Sequence, residues 1–174
     1  MPFGEPFTYV EECASTQRLV PEDAPEGALV LANHQTAGRG RLGRVWHDVP
    51  GRSLLFSLLL RPPAPMPLWP ELSLVAGGAV AAAIGHGAEV RPPNDVFLNG
   101  RKVAGILPEA TTGRVVLGIG VNVNHTADEL PAETVKPATS LRVELGRELD
   151  RDELLASILV ELDRAYRTWC APYS

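Results

Sequence analysis

Between Val96 and Val123 the chain reads as three β-prone runs joined by two tight turns, which leaves little freedom in how this stretch folds. Val96-Phe97-Leu98 and Arg101-Lys102-Val103 flank Asn99-Gly100, the dipeptide best suited to the positive φ angles of a two-residue hairpin loop. Thr111-Thr112-Gly113 makes the second turn, joining the run from Val103 to Ala110 with the run from Arg114 to Val123. Strands joined so tightly pair antiparallel. In the last run, period two puts Val115, Leu117, Ile119, Val121 and Val123 on one face. The other face carries Val116, Gly118, Gly120, Asn122 and Asn124 and is nearly bare. Two glycines there mean that a ligand, another backbone or a close helix lies against the strand, with Asn122 at the rim.

The rest of the chain supplies further strands and two long helices. Phe7 to Glu12 is a short β-prone run, and Ser15-Thr16 caps a turn that ends before Pro21, a role that by itself would account for both residues. Ala28 to Asn33 and Ser53 to Leu60 are apolar runs of strand length, and Ser57 in the second is a hydroxyl in an apolar sheet that needs a partner. Leu72, Val75, Ala76, Ala79, Val80, Ala83 and Ile84 recur at helical spacing between Pro70 and Gly85. Ala88 to Pro93 is extended. Residues 125 to 149 read as a long surface loop with a late edge strand near Arg142 to Leu145. Asp150, with Glu153 three residues on, opens a helix whose apolar stripe is Leu154, Leu155, Ile158, Leu159, Leu162, Tyr166 and Trp169. Hairpins with helices laid on one face make an α+β fold, one domain over residues 1–174.

The two apolar runs from Ala28 and from Ser53 are separated by Gln35-Thr-Ala-Gly-Arg-Gly-Arg-Leu-Gly-Arg-Val-Trp46. Its three glycines let a backbone approach a ligand closely, and its three arginines place one sign of charge in a few residues, so the loop is suited to an anion. Gly38, Gly40 and Gly43 match the G-x-G-x-x-G spacing, but no helical pattern follows and Pro50-Gly51 ends the segment, which excludes a dinucleotide-binding βαβ unit. No Walker lysine is present. The loop stands out against a net charge of −5 and a pI of about 5.4, which argue against general nucleic-acid binding. Only Lys102 and Lys136 are lysines among 16 basic residues, so each is worth inspecting. Cys13 and Cys170 form no metal or redox spacing, the N-terminus has no leader pattern, and the weakly polar run Leu72 to Gly85 is too short to span a bilayer. These features point to a reduced, cytoplasmic setting without membrane attachment.

Four separated stretches then resemble one family in the same order: Ser15-Thr16, the glycine-arginine run to Trp46, Pro93-Asn94-Asp95 with Lys102-Val-Ala-Gly-Ile-Leu107, and Gly118-Ile-Gly-Val-Asn122. They are similar to biotin protein ligases. The resemblance implies a mixed, mainly antiparallel sheet of the class II aminoacyl-tRNA synthetase and biotin ligase type. It also implies an enzyme that joins biotin to ATP, giving biotinyl-5′-AMP and pyrophosphate, and passes the biotinyl group to a lysine of a biotin carboxyl carrier protein. By the same resemblance Arg39, Arg41 and Arg44 present forked donors to phosphate and carboxylate, and Lys102 is a point charge between them. A solvated hairpin lysine is what position alone would give Lys102. Ser15, Thr16, Gln35 and Ser57 resemble the biotin contacts, and Gly38 and Gly105 offer backbone without bulk. Trp46 covers the nucleotide or acyl chain or else is a core residue, while Asn94, Asp95 and Asn122 fall where the family handles nucleotide and Mg²⁺. One carboxylate is no metal cage, so Mg²⁺ is expected to arrive with ATP.

The chain departs from the family in having Gln17 after Ser15-Thr16, where asparagine is common, and Pro92 where tryptophan is common. Many relatives carry a helix-turn-helix before this region and a small barrel after it, and the match here begins at Ser15 and leaves room for neither. The expectation is a catalytic domain without DNA binding; a homodimer is left open. The competing readings are a lipoate or octanoate ligase or transferase of the same fold, and a non-catalytic biotin-binding module.

Overall fold

The computed structural model describes residues 3–132 and 134–174. Its strands are β1 (Phe7–Cys13), β2 (Leu29–Gln35), β3 (Ser53–Leu60), β4 (Glu89–Arg91), β5 (Asp95–Leu98), β6 (Arg101–Thr111) and β7 (Arg114–Asn122). All seven form one sheet in the order β1-β2-β3-β7-β6-β5-β4. Among the described residues β1 and β2 are parallel and every other neighbouring pair is antiparallel, so the sheet is mixed. Asn99 and Gly100 take φ of 51° and 77° and Gly113 takes 77°, the left-handed angles that close the two hairpins of the meander.

One face of the sheet carries the helices α1 (Leu72–Ile84) and α3 (Arg151–Cys170). Leu54, Phe56, Leu58 and Leu60 of β3 and Val115, Leu117, Ile119 and Val121 of β7 point into the same core as Leu72, Ala76 and Val80 of α1 and Leu155, Ile158 and Leu162 of α3. Small residues let α1 lie close: a Cβ added at Gly77 would stand 3.1 Å from Val90 Cγ1. Asp150 caps α3, its carboxylate accepting from the amides of Asp152 at 2.8 Å and Glu153 at 3.1 Å. Continued back through the turn from Met66, the apolar stretch to Ile84 reaches 19 residues, longer than the run read from the sequence and enough by length to cross a bilayer. Its packing between the sheet and α3 accounts for its apolar character.

The region 125–149 differs from its sequence reading. Arg142 to Leu145 is no edge strand but part of a short helix, α2 (Leu141–Leu145), because Ser140 Oγ accepts from the amide of Val143 at 3.1 Å and Gly146 ends the turn at φ 72°. Nor is the region all surface. His125, Thr139, Ser140 and Leu141 are buried, since Asn124 exchanges two side-chain hydrogen bonds with the backbone of Leu149 and Arg142 N donates to Val123 O. These long-range ties draw the segment back against the end of β7. On the sheet face opposite the helices, Val20, Ala24, Ala28, Val30, Leu59 and Val116 make a small second cluster. The remainder of that face is open.

Candidate functional site

The floor of the open face is a row across four strands. Register places Leu55 of β3, Gly120 of β7, Gly105 of β6 and Asp95 of β5 side by side, with Gly118 between Ser57 and Leu107 in the next row. Missing side chains make a trough, and the cleft above it has a volume of about 600 Å³. Both helices lie on the other face, so the close neighbours of the glycines are side chains from two loops. A Cβ at Gly120 would come 2.8 Å from the Trp46 ring, one at Gly105 3.0 Å from the same ring, and one at Gly118 2.8 Å from the Gln17 amide carbon. Trp46 is therefore a cover on the floor rather than a core residue. Its Nε1 is buried without an acceptor, so no side-chain hydrogen bond holds the ring there.

Lys102 reaches this floor because β6 is irregular. Along an unbroken strand Lys102 would share a face with Ala104 and Ile106, which point into the core. The register slips between Val96 and Phe97, so that Asp95 pairs with Gly105 but Phe97 pairs with Lys102. The bulge turns Lys102 to the Gly105 side and sends Val103 into the core. Lys102 Nζ stands 2.8 Å from Asp95 Oδ1, an ion pair rather than a well-aligned hydrogen bond, and 5.6 Å from the Trp46 ring centre. Asp95 Oδ2 accepts from Lys136. Burial by itself would raise the Asp95 pKa, but the two ammonium groups outweigh it and hold the carboxyl below the ordinary carboxylate range.

The glycine-arginine loop is a flap clamped at its base. Trp46 N donates to Gly38 O at 2.9 Å, and Gly40 N donates to Arg44 O at 2.8 Å. At its exit Asp48 lies 2.7 Å from His34 Nδ1 and accepts from the Gln35 amide at 3.0 Å. Leu42 and Gly43 at the tip both take left-handed angles, φ 59° and 72°, which glycine adopts freely and leucine does not. Arg41 and Arg44 line the cleft and are exposed, while Arg39 also lines it but is held by Glu109 of β6 at 2.7 Å. That exposed pair is worth at most about 1 kcal/mol. Replacing Glu109 by glutamine is expected to speed tryptic cleavage within the ligand-free flap about two- to five-fold with no change in the unfolding midpoint. An unchanged cleavage rate would mean that the pair does not tether the flap.

Most sequence-predicted residues meet in this cleft. Ser15, Thr16, Gln35, Arg39, Arg41, Arg44, Trp46, Asn94, Asp95, Lys102, Gly105 and Asn122 all line it. Ser15 and Thr16 do not act as a side-chain cap. Instead Thr16 Oγ1 lies 2.7 Å from Ser57 Oγ, and Gln35 Oε1 accepts from both the amide and the hydroxyl of Thr16. Two of the expected residues lie outside the lining. Ser57 is fully buried beneath Thr16 and supports it, outside the lining, because its row on β3 lies under the turn that carries Thr16. Gly38 is buried at the base of the flap, where a Cβ would meet Gln35 Nε2 at 3.0 Å and Trp46 O at 3.1 Å, so its lack of a side chain serves the clamp. Asn94 Nδ2 donates to Ile106 O and Asn122 Nδ2 to Thr139 O, each tying a loop to the rim.

Gln17 and Lys136 are two polar residues of the lining that lay outside the sequence-predicted set. Gln17 crosses Gly118 to donate to Leu107 O at 2.9 Å. Lys136 joins Asp95 from a loop 41 residues away, a pairing to which only the scarcity of lysine in the sequence pointed.

The model of the biotin/lipoate A/B protein ligase family matches residues 10–125, a span that holds β2 to β7 and every cleft element up to the end of β7. The chain belongs to that family. Among curated members, the bifunctional ligase/repressor BirA of Bacillus spizizenii is 40% identical over 179 residues, covering 95% of this chain and 55% of its own length. The biotin–[acetyl-CoA-carboxylase] ligase of Mycobacterium tuberculosis is 37% identical over 153 residues, covering 83% of this chain and 56% of its own. The chain thus spans about half the length of the curated relatives it matches. Among solved structures, the biotin protein ligase of Aquifex aeolicus in complex with biotin and ATP superposes with a TM-score of 0.84 at 34% identity, over 94% of this chain and 71% of that one. The cleft is lined by three arginines and two lysines, and the two lysines stand on its buried carboxylate, Asp95.

Proposed function

We propose that residues 1–174 form a catalytic domain that activates biotin with ATP and transfers the biotinyl group to a lysine of a biotin carboxyl carrier protein. The observation that carries this reading is Lys102: the β-bulge aims its ammonium at the glycine floor, where a carboxylate and a phosphate would otherwise repel each other. The relatives' names and the biotin and ATP of the Aquifex aeolicus complex support it. In the first step a biotin carboxylate oxygen attacks the α-phosphorus; the new P–O bond forms as the bond to the β-phosphate oxygen breaks, and pyrophosphate leaves. In the second step the carrier's amine attacks the acyl carbon, loses a proton and expels AMP.

Arg39, Arg41 and Arg44 neutralise the phosphates from the flap, and Lys102 stabilises charge gathering between the two reacting groups. Ser15, Thr16 and Gln35 face the head of the biotin, with Gly105 leaving room for the ligand. Asn94 and Asn122 hold the loops of the nucleotide side. Mg²⁺ would be supplied with ATP: among the described residues Asp95 is the one carboxylate that lines the cleft, it is taken up by two ammonium groups, and no cluster of three metal-ligating side chains occurs. Such an ion keeps its phosphate and water ligands. A cytoplasmic setting is part of this proposal, in keeping with two cysteines that form no disulfide.

The test is exchange of labelled pyrophosphate into ATP by the purified chain. Biotin-dependent exchange is expected. Exchange with lipoate or octanoate instead would assign the chain to the lipoyl side of the family, and no exchange with any of the three acids would leave a transferase or a binding module.

A further inference from the structure

The two lysines of the chain meet on one carboxylate, and the family assignment does not say why. Asp95 is almost fully buried, and each of its oxygens has its own ammonium, Oδ1 from Lys102 and Oδ2 from Lys136. The two cations have different surroundings. Lys102 Nζ lies over the floor, 3.4 Å from where a Cβ at Gly105 would stand, whereas Lys136 Nζ lies 5.8 Å from the centre of the Phe97 ring, whose face also carries Arg91. The segment that bears Lys136 is fastened to Lys102 itself: Lys102 N donates to Pro137 O and Thr139 N to Lys102 O, each at 2.8 Å. The loop therefore delivers a second ammonium to the strand residue that holds the first.

Resting on the proposed function, we infer that Lys136 is a positioning residue that keeps Asp95 paired and in place when the Lys102 ammonium turns from it to the substrate anions. With Lys102 alone, the carboxylate and the ammonium would neutralise each other, and any movement of Lys102 toward a phosphate would strand a buried charge, which is strongly destabilising. With two cations and one anion, a net positive charge remains for the substrates. Lys136 thus allows Lys102 both to be aimed by Asp95 and to let go of it.

A double-mutant cycle on the exchange reaction tests this, with biotin and MgATP as the probes. Lys136→Met is expected to lower kcat about 10- to 30-fold with the biotin KM within threefold, and Lys136→Arg to restore most of the rate. Adding Lys136→Met to Asp95→Asn should change the residual rate by less than twofold, because a neutral amide needs no counter-ion. A loss in that background as large as in the native protein overturns the inference, as do equal losses for methionine and arginine. Thermal unfolding gives a readout that does not need activity. In a Lys102→Met background Asp95 has only Lys136, so Lys136→Met should lower the midpoint by clearly more than it does in the native protein, and Asp95→Asn should abolish that excess. Additive shifts overturn the inference even if exchange proceeds, whereas absent exchange in the native chain with a coupled unfolding cycle overturns only the proposed activity.

Discussion

Replacing Lys102 by alanine is expected to lower the rate of biotin adenylation about 10²- to 10³-fold, the usual loss when one preorganised electrostatic donor is removed from a reacting centre. The biotin KM should stay within a few-fold. The reason is where the charge acts: Lys102 is held at the floor by Asp95 at 2.8 Å, next to Gly105, and what it gains on the reaction path is the charge that builds between carboxylate and α-phosphate. An interaction stronger in the transition state than in the ground state appears in kcat and in kcat/KM alike. Arginine should not replace it, because a planar, forked guanidinium does not present the compact point charge of an ammonium. Steady-state exchange with varied biotin decides the matter. A native turnover in the alanine variant would remove Lys102 from the chemistry and leave it a surface lysine paired with a carboxylate.

The second large effect is expected at Gly120. Valine there should weaken biotin binding a hundredfold or more while leaving the fold intact or slightly more stable. Gly120 sits in the interior of β7 with no left-handed angle, so a β-branched residue suits its backbone and strand propensity favours it. The obstacle is only on the cleft side, where the first added carbon would already lie 2.8 Å from the Trp46 ring and two further methyl groups would fill the trough. No side-chain hydrogen bond holds that indole, so it should be pushed off the floor, with a change in tryptophan emission. Calorimetric titration with biotin, beside a thermal melt, separates the two consequences. A valine variant that binds biotin normally would show that the bare face serves packing and not a ligand. A variant that unfolds early would give Gly120 a structural role.

Local pattern carried much of the molecule into view. Alternation in β3 and β7 reports which side chains share a face, and the structure places Leu54, Phe56 and Leu58 with Leu117 and Ile119 in the core, leaving Gly118 and Gly120 opposite. Turn chemistry at Asn99-Gly100 and Gly113 fixes two hairpins, because only a few residues tolerate the angles required. The flap announces itself through glycine and arginine in close succession. Where pattern misled, distant bonds had overridden it. Val143 and Leu145 alternate like a strand, yet the hydroxyl of Ser140 makes the segment a helix and Asn124 folds the region inward. Ser57 was legible as a buried hydroxyl needing a partner, but that the partner is Thr16, 41 residues away, belongs to the packing of a turn on a sheet.

Features written within a few neighbouring residues were thus legible in the chain alone: face, turn, helix, cap and the charge of the flap. Where those features meet is set by the packing of the whole fold. A single slip of register between β5 and β6 carries Lys102 from the core face to the cleft, and a loop ending at Thr139 brings Lys136 to the same carboxylate. Neither is set by local preference. A strand's side chains alternate with a period of two, so one extra residue reverses the face of everything beyond it, and whether that residue is accommodated depends on how the neighbouring strand and the core behind it pack.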